Sequence, residues 1–400
     1  MKPLHAVLGS FACLALSLGI PSRAAAQTET GLSPRQLLIR LTSAAGTGTG
    51  VSNIGEVIAD LVGLEVSTAP LGSSAGGFTF TFDPVTRAFS RAAPSFGPMF
   101  GERAITVGEG GANFGINFLR RTYDTLDGVD IRDGSLETVV LSAGGAPLYG
   151  GTVALDVTTD TVVFFGNVAL NDRFDAGVAL PYVRLRMDGR HSIADEVAVG
   201  SATASGLGDV ALRAKLRVYA RGQGGIAIGL DARLPTGDKE ALLGAGVTRT
   251  LVSGIWSGAI GSLAPHASVG FEYWSDPFQI FDPLQRSAVE AGRHGVVYAG
   301  GVEWAATDRL TVNGELTGRT VLDGGRLSYR SLPFRGNPFG ITEASVASVD
   351  PRGLRQVAAA TGIKWNPAGT LLLTANVLIR LDEAGLRDEL TPIIGFDWGF

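Results

Sequence analysis

Ten charged side chains recur on one side of successive alternating segments: Arg213, Lys215, Arg217, Asp231, Arg233, Glu272, Glu315, Arg319, Lys364 and Arg380. Arginines facing a few carboxylates across a narrow space set up a transverse field that orders water or the polar head of a solute. The same groups can also neutralise one another and fill a small interior. Hydrolytic chemistry finds no comparable set. A Gly-x-Ser-x-Gly motif is absent, and no serine, histidine and carboxylate share a segment end. His191 and His294 fall in expected loops, whereas His266 starts a segment at the opposite end, so a shared metal ion is not expected. Gly144-Gly145 and Gly150-Gly151 precede no helix and read as bend glycines rather than phosphate cradles. The residues point to no enzyme, cofactor or metal.

A second group is apolar and sits where polar loops are expected. Phe278, Ile280, Phe281, Leu327, Tyr329, Leu332, Phe334, Phe339 and Ile341 either capture a hydrophobic solute or make a small core of folded loops. Of these, Phe278, Phe281, Tyr329, Phe334 and Phe339 are the capture candidates.

Period-two alternation must position both groups. In Asp209–Tyr219, Val210, Leu212, Ala214, Leu216 and Val218 share one face, and Asp209, Arg213, Lys215, Arg217 and Tyr219 share the other. The pattern recurs to the C-terminus, giving twelve strands whose connections alternate between short and long. Short ones fall near Asn171-Asp172, Gly222–Gly224, Gly261–Pro265, Thr307-Asp308 and Asn366–Gly369. Long ones run over Asp124–Gly151, Asp188–Ser205, Pro235–Gly246, Ser275–His294, Asp323–Gly353 and Asp382–Leu390. This is the layout of an all-β transmembrane antiparallel barrel in the bacterial outer membrane, with periplasmic turns and extracellular loops. Tyr182, Trp274, Tyr298, Trp304, Trp365 and Trp398 near strand ends suit interfacial girdles.

Composition agrees with that reading. Hydrophobic residues make up 45%, charged residues 18%, and glycines number 56 of 400. No run of 18 apolar residues follows the first 26, which excludes a helical membrane protein. Residues 1–26 have the form of a secretory signal peptide: Lys2, an apolar stretch, then Ala24-Ala25-Ala26. Its removal takes away Cys13, the only cysteine, and leaves 31 basic against 38 acidic side chains, a balance unlike that of a nucleic-acid binder.

Residues 27–104 precede the barrel of 105–400. Ser33-Pro34 predicts a helix through Leu41, and a second helix is expected near Val51–Leu64 with Ile54, Val57, Ile58, Leu61 and Val62 on one face. The segment acts either as a plug in the lumen or as a periplasmic lid. A third option starts a further hairpin at Phe78–Phe82 and raises the strand count to fourteen.

The final strand, with Phe396, Trp398 and the terminal Phe400, resembles the signal read by barrel-assembly machinery. Further upstream, Gly206-Leu207-Gly208-Asp209, Ala214-Lys215-Leu216-Arg217 and Leu234-Pro235-Thr236-Gly237-Asp238 resemble the "MetA-pathway of phenol degradation" family of outer-membrane transporters, chiefly over Leu180–Leu316. The resemblance implies a barrel linked with aromatic-compound catabolism. The related fatty-acid and toluene channels carry Asn-Pro-Ala on an N-terminal plug. Here Asn366-Pro367-Ala368 lies in a turn near the C-terminus, which argues against lateral release through the wall. The expected function is passive passage of small hydrophobic or aromatic solutes, with outer-membrane lipid and the assembly machinery as partners and no nucleic acid. A non-transporting surface barrel with partner-binding loops is the alternative, and a lipid-hydrolysing barrel the third.

Overall fold

The computed structural model describes residues 27–29, 31–42, 54–68, 70–74, 77, 80–83, 88–91, 93–141, 147–193, 196–282, 287–292, 294–333, 343–350 and 352–400. The signal-peptide reading of residues 1–26 lies outside them. Twelve strands form the wall: β1 (Ala112–Tyr123), β2 (Pro147–Asn171), β3 (Phe174–Ile193), β4 (Val210–Arg221), β5 (Gly224–Leu234), β6 (Arg249–Ser257), β7 (Leu263–Trp274), β8 (His294–Thr307), β9 (Leu310–Leu322), β10 (Leu354–Ala368), β11 (Leu371–Arg380) and β12 (Leu390–Gly399). Each pairs antiparallel with its successor, and β12 returns to β1 with Ile394 opposite Phe118. The ring is closed, so its hydrogen-bonding groups need no water. Tight turns at one end use glycine where φ is positive, as at Gly222 (φ 52°) and Gly369 (φ 54°). The expected fourteenth-strand hairpin does not join the wall. Phe80–Asp83 pairs only with Ala88–Arg91, as a separate two-stranded unit.

Burial is inverted relative to a water-soluble sheet. Leu212, Leu216, Ile228, Val269, Phe271 and Trp304 are exposed, while Lys215, Arg249, His266, Glu303 and Glu315 are buried. Apolar outside and polar inside is what a hydrocarbon solvent selects. Among the described residues no helix is long and apolar enough to cross a membrane. The strands cross instead. Trp256, Trp304, Trp365 and Trp398 face outward at the turn end, and Tyr182 and Tyr273 at the other. Two aromatic expectations change. Trp274 is 1% exposed and points inward, and a bulge between Arg217 and Tyr219 turns Tyr219 outward.

The long connections differ most from expectation. Asp188–Ser205 is no loop, because β3 pairs with Glu196–Leu207 over twelve residues, and that strand runs on into β4 along the same neighbour. β2, 25 residues long, likewise exceeds the roughly ten needed to span hydrocarbon. Its two faces exchange character near Asp160. Below that point Phe164, Val168 and Leu170 face outward and Thr161 and Asn167 face inward. Above it Val153, Leu155 and Val157 face inward and Asp156 outward. In β3, Val183, Leu185 and Met187 point inward, opposite outward Arg184 and Arg190. Phase inversion within one strand marks where lipid gives way to water. The connections 275–294 and 323–353 also carry hairpins, Phe278–Asp282 with Ser287–Ala291 and Arg326–Pro333 with Glu343–Asp350.

The upper wall encloses two helices, α1 (Pro34–Thr42) and α2 (Ile54–Ser67). Ser33 caps α1 reciprocally with Gln36: Gln36 N donates to Ser33 Oγ at 3.2 Å and Ser33 N donates to Gln36 Oε1 at 3.1 Å. α2 ends three residues later than predicted and is buried on several faces, including Ile58, Ala59, Leu61, Leu64 and Glu65. Leu37, Leu41, Ile58 and Val62 form one core with Val153, Leu155, Leu185 and Leu243.

Candidate functional site

After α2 the chain descends through the lumen, and inward-facing side chains hold it at each level. At the upper level Glu65 of α2 pairs with Arg121 (3.1 Å) and accepts from Gln356 (3.2 Å). Burial acts to raise the Glu65 carboxyl, but the guanidinium groups of Arg121, Arg319 and Arg387 outweigh it and hold it below its ordinary value. The carbonyl of Ser67, at the C-terminal end of α2, accepts from Arg233 Nη1 (2.6 Å) and Arg249 Nη2 (2.9 Å). Thr68 Oγ1 accepts from Arg249 (2.9 Å) and Arg319 (3.0 Å). Cations belong at this end of a helix dipole, and three arginines converge there.

In the middle, Glu102 of the descending segment is the hub. It accepts from Arg213 Nη2 (2.7 Å) and from the Ser74 backbone N–H (2.8 Å), and Lys215 lies 3.7 Å away. Arg213 is fully engaged, because it also donates to Asp231 (2.6 Å) and to the Gly72 carbonyl (2.6 Å).

At the lower level Glu315 accepts three consecutive backbone N–H groups, from Met99, Phe100 (3.0 Å) and Gly101 (2.8 Å). Glu303, wholly buried, pairs with Arg103 and accepts from Ser95 Oγ at 2.5 Å. His266 Nδ1 lies 3.2 Å from Glu303, and a Cβ on Gly101 would come within 2.5 Å of the imidazole, so the close approach requires glycine there. Lys364 donates to the Pro98 carbonyl (2.7 Å), and Asp397 accepts from Gly77 N (2.9 Å). Buried ion pairs of this kind carry large desolvation costs, which the additional hydrogen bonds offset.

The motifs behind the family resemblance touch one another. Asp209, closing Gly-Leu-Gly-Asp, accepts from Gly237 N (3.1 Å) and Ala245 N (3.0 Å). Thr236 of Leu-Pro-Thr-Gly-Asp donates to the Gly208 carbonyl (2.7 Å) and accepts from Val210 N (2.9 Å). Asp238 Oδ1 accepts from Glu240 N at 2.9 Å. Together they turn the 235–248 connection inward, so that Leu242 and Leu243 pack on the helices and Lys239 lies 3.5 Å from Asp60.

Of the ten expected lumen residues, Arg213, Lys215, Arg233, Glu315, Arg319 and Lys364 bond the descending segment directly. Asp231 reaches it through Arg213, and Glu272 accepts from Trp274 Nε1 at 2.8 Å. Arg217 instead donates to Gly224 O near a turn, and Arg380 to Thr125 Oγ1 near the loops. Alternation alone also marks Arg249, Glu303 and Asp397, which sequence reasoning missed. Glu102 and Arg103 carry no such signal, since their segment lacks periodicity. The backbones of Phe278, Phe281 and Tyr329 lie in the loop hairpins, but their side chains, and all of Phe334 and Phe339, lie outside the described residues. At the C-terminus Trp398 and Phe400 face outward and stack at 5.6 Å, with Phe396 against Phe114 at 6.3 Å. Among the described residues no cluster of three metal-ligating side chains occurs.

A cavity of about 240 Å³ remains beside the segment in the upper half of the lumen. Its lining mixes apolar side chains, Leu71, Phe100, Leu251, Val297 and Leu378, with arginines.

The model of the family described as "MetA-pathway of phenol degradation" matches residues 132–271, the stretch that holds both interlocking motifs. No curated protein matches the sequence. The COG4313 outer membrane channel from Pseudomonas putida F1 is similar at 12% identity and TM-score 0.47, over 74% of this chain and 98% of that one. A Pseudomonas aeruginosa FadL homologue is similar at 13% identity and TM-score 0.33, over 83% and 96%. The Ralstonia pickettii toluene transporter TbuX is similar at 9% identity and TM-score 0.34, over 73% and 90%. The chain resembles that family over the matched stretch, and it is an outer-membrane β-barrel.

Proposed function

We propose that the barrel is a channel for passive passage of small, hydrophobic or aromatic solutes, with residues 27–104 as a plug that restricts leak. The observation that carries this reading is the cavity of about 240 Å³ between the descending segment and the wall, lined by both apolar side chains and arginines. A barrel filled only for stability has no need of such a space. The family resemblance supports an aromatic solute. Downhill diffusion requires no cofactor. The apolar residues of the loop hairpins would collect the solute and the lumen charges would select it, while Phe396, Trp398 and Phe400 would serve assembly.

The dense hydrogen bonding of the segment favours a second reading, a non-transporting barrel whose loops meet partners. Planar-bilayer recordings separate the two. Conductance by the full chain, or by a variant lacking 27–104 alone, is the expected result. Silence from both, with intact barrels verified by circular dichroism, sinks the channel.

A further inference from the structure

Two arginines of the lumen make their hydrogen bonds to neutral acceptors, and their carboxylate contacts are long. Arg249 donates to the Ser67 carbonyl and Oγ and to Thr68 Oγ1, all neutral, and its ion-pair contact to Asp209 is long, at 3.9 Å. Arg319 donates to Thr68 Oγ1 and Gln356 Oε1, with Glu65 at 3.9 Å. Both are buried, at 1% and 7% exposure, and Nε of each lacks a hydrogen-bond partner. A buried donor without an acceptor is costly, and more so on a charged group. Both side chains line the cavity of about 240 Å³. Around that cavity stand seven arginines and five carboxylates, an excess of two positive charges.

Apolar groups line the same cavity beside these arginines, with Val297 directly across the strand pair from Arg319. Leu71 and Phe100 come from the descending segment, and Leu251, Val297 and Leu378 from the wall. A neutral hydrocarbon would satisfy the apolar lining and leave the guanidinium donors unmet. A small inorganic anion would do the reverse. The matching chemistry is one molecule with both parts, an apolar body carrying a single carboxylate. Arginine holds carboxylates in a planar, two-point geometry that lysine does not. The volume lies below the usual range for drug-sized ligands and suits one ring or a short chain.

We infer that this cavity is a binding subsite for a small organic monocarboxylate, its carboxylate held by Arg249 and Arg319 and its apolar body against Phe100 and Leu251. This rests on the channel reading and narrows its solute class from hydrophobic or aromatic to aromatic or aliphatic acids. Glu272 takes its hydrogen bond from Trp274, and Glu65 takes its own from Arg121 and Gln356. Neither carboxylate thus uses a hydrogen bond to Arg249 or Arg319, and an anion can take the place of their neutral acceptors.

Calorimetric titration of the full-length protein in detergent micelles with benzoate, and with benzamide as its neutral counterpart, tests the inference. Benzoate should bind at least tenfold more tightly than benzamide. Arg249→Gln and Arg319→Gln should each lose that preference while keeping the same barrel content by circular dichroism. Addition of sodium chloride alone should weaken benzoate by competition and produce no comparable heat. Equal binding of the two ligands, binding of neither, or a preference unchanged in both variants would overturn the subsite. Conductance in bilayers is read separately. Ion flow without benzoate preference removes the subsite and leaves the channel, whereas benzoate binding without ion flow removes the channel and leaves the subsite.

Discussion

Inside the upper wall the barrel is lined by Val153, Leu155, Leu185 and Met187, which pack on two helices. At membrane level it is lined by Arg213, Lys215, Glu303 and Glu315, which grip an irregular chain. Strands β2 and β3 run through both regions, and along them the apolar face changes from inward to outward. Where the outer face meets water, the inner face is apolar and packs non-directionally. Where the outer face meets lipid, the hydrophobic requirement is satisfied outside, which leaves the inner face free to be polar and specific. The lower contents are therefore held by hydrogen bonds and charge, and the upper contents by surface area. The two regions should fail in different ways.

The largest expected effect is at membrane level. Arg103→Met leaves Glu303 buried without its cation, a loss of about 3–5 kcal/mol. Hydrogen exchange should show residues 93–107 losing protection while α1 and α2 keep theirs. Equal loss in both regions would mean that the two are one cooperative unit. Next is the upper core. Leu155→Ala should destabilise the docked helices by about 2–5 kcal/mol through the cavity it leaves. Protease sensitivity of residues 31–68 should rise, with no dependence on salt.

The inversion point can be tested directly. Phe164→Arg puts a charge into the lipid-facing band and should cost about 2–4 kcal/mol at depth. Asp156→Arg, eight residues earlier on the same face, should stay within about 0.5 kcal/mol because that position meets water. Urea unfolding in lipid vesicles reads both. Similar costs would place the lipid boundary elsewhere.

The smallest effect concerns pH. Glu65 is held below its ordinary value of 4.5, so its contribution is fully present above that pH and fades as pH falls through the lower folded value. Acidification should loosen the foot of α2, seen as faster hydrogen exchange at residues 64–68. Glu65→Gln should abolish that pH dependence. A variant that titrates like the parent would assign the effect to another group.

Much of the wall was legible because lipid imposes strict alternation over many strands. The twelve-strand count followed from it, as did the outward positions of Leu212 and Leu216. The upper wall was not legible as strand. Around Asp188–Ser205 polar, glycine-containing residues read as a loop, since the outward face had lost its apolar signal while β pairing continued. Tyr219 was misplaced because a bulge shifts the period by one residue, and nothing local announces it. The lumen arginines were legible as a face, but not their partners. Ser67, Glu102 and Arg103 lie in a segment whose path is set by the barrel around it. The joint between Asp209 and Thr236 was visible as two motifs but not as one contact, since 27 positions separate the residues.

The descending segment enters among the extended strands, where Gln27–Glu29 pairs with Ala198–Gly200, and leaves at the opposite rim to become β1. Beside that rim Ala112 and Phe400 exchange backbone hydrogen bonds at 3.3 and 2.8 Å. The chain is therefore a thread through a ring whose clasp is made from the start and finish of its own wall. Once the clasp is shut, α1 and α2 could reach the far rim only by travelling end-on past every charged group that now grips the segment. A wall that closes around the thread avoids that passage, and joining β12 to β1 then seals a filled interior.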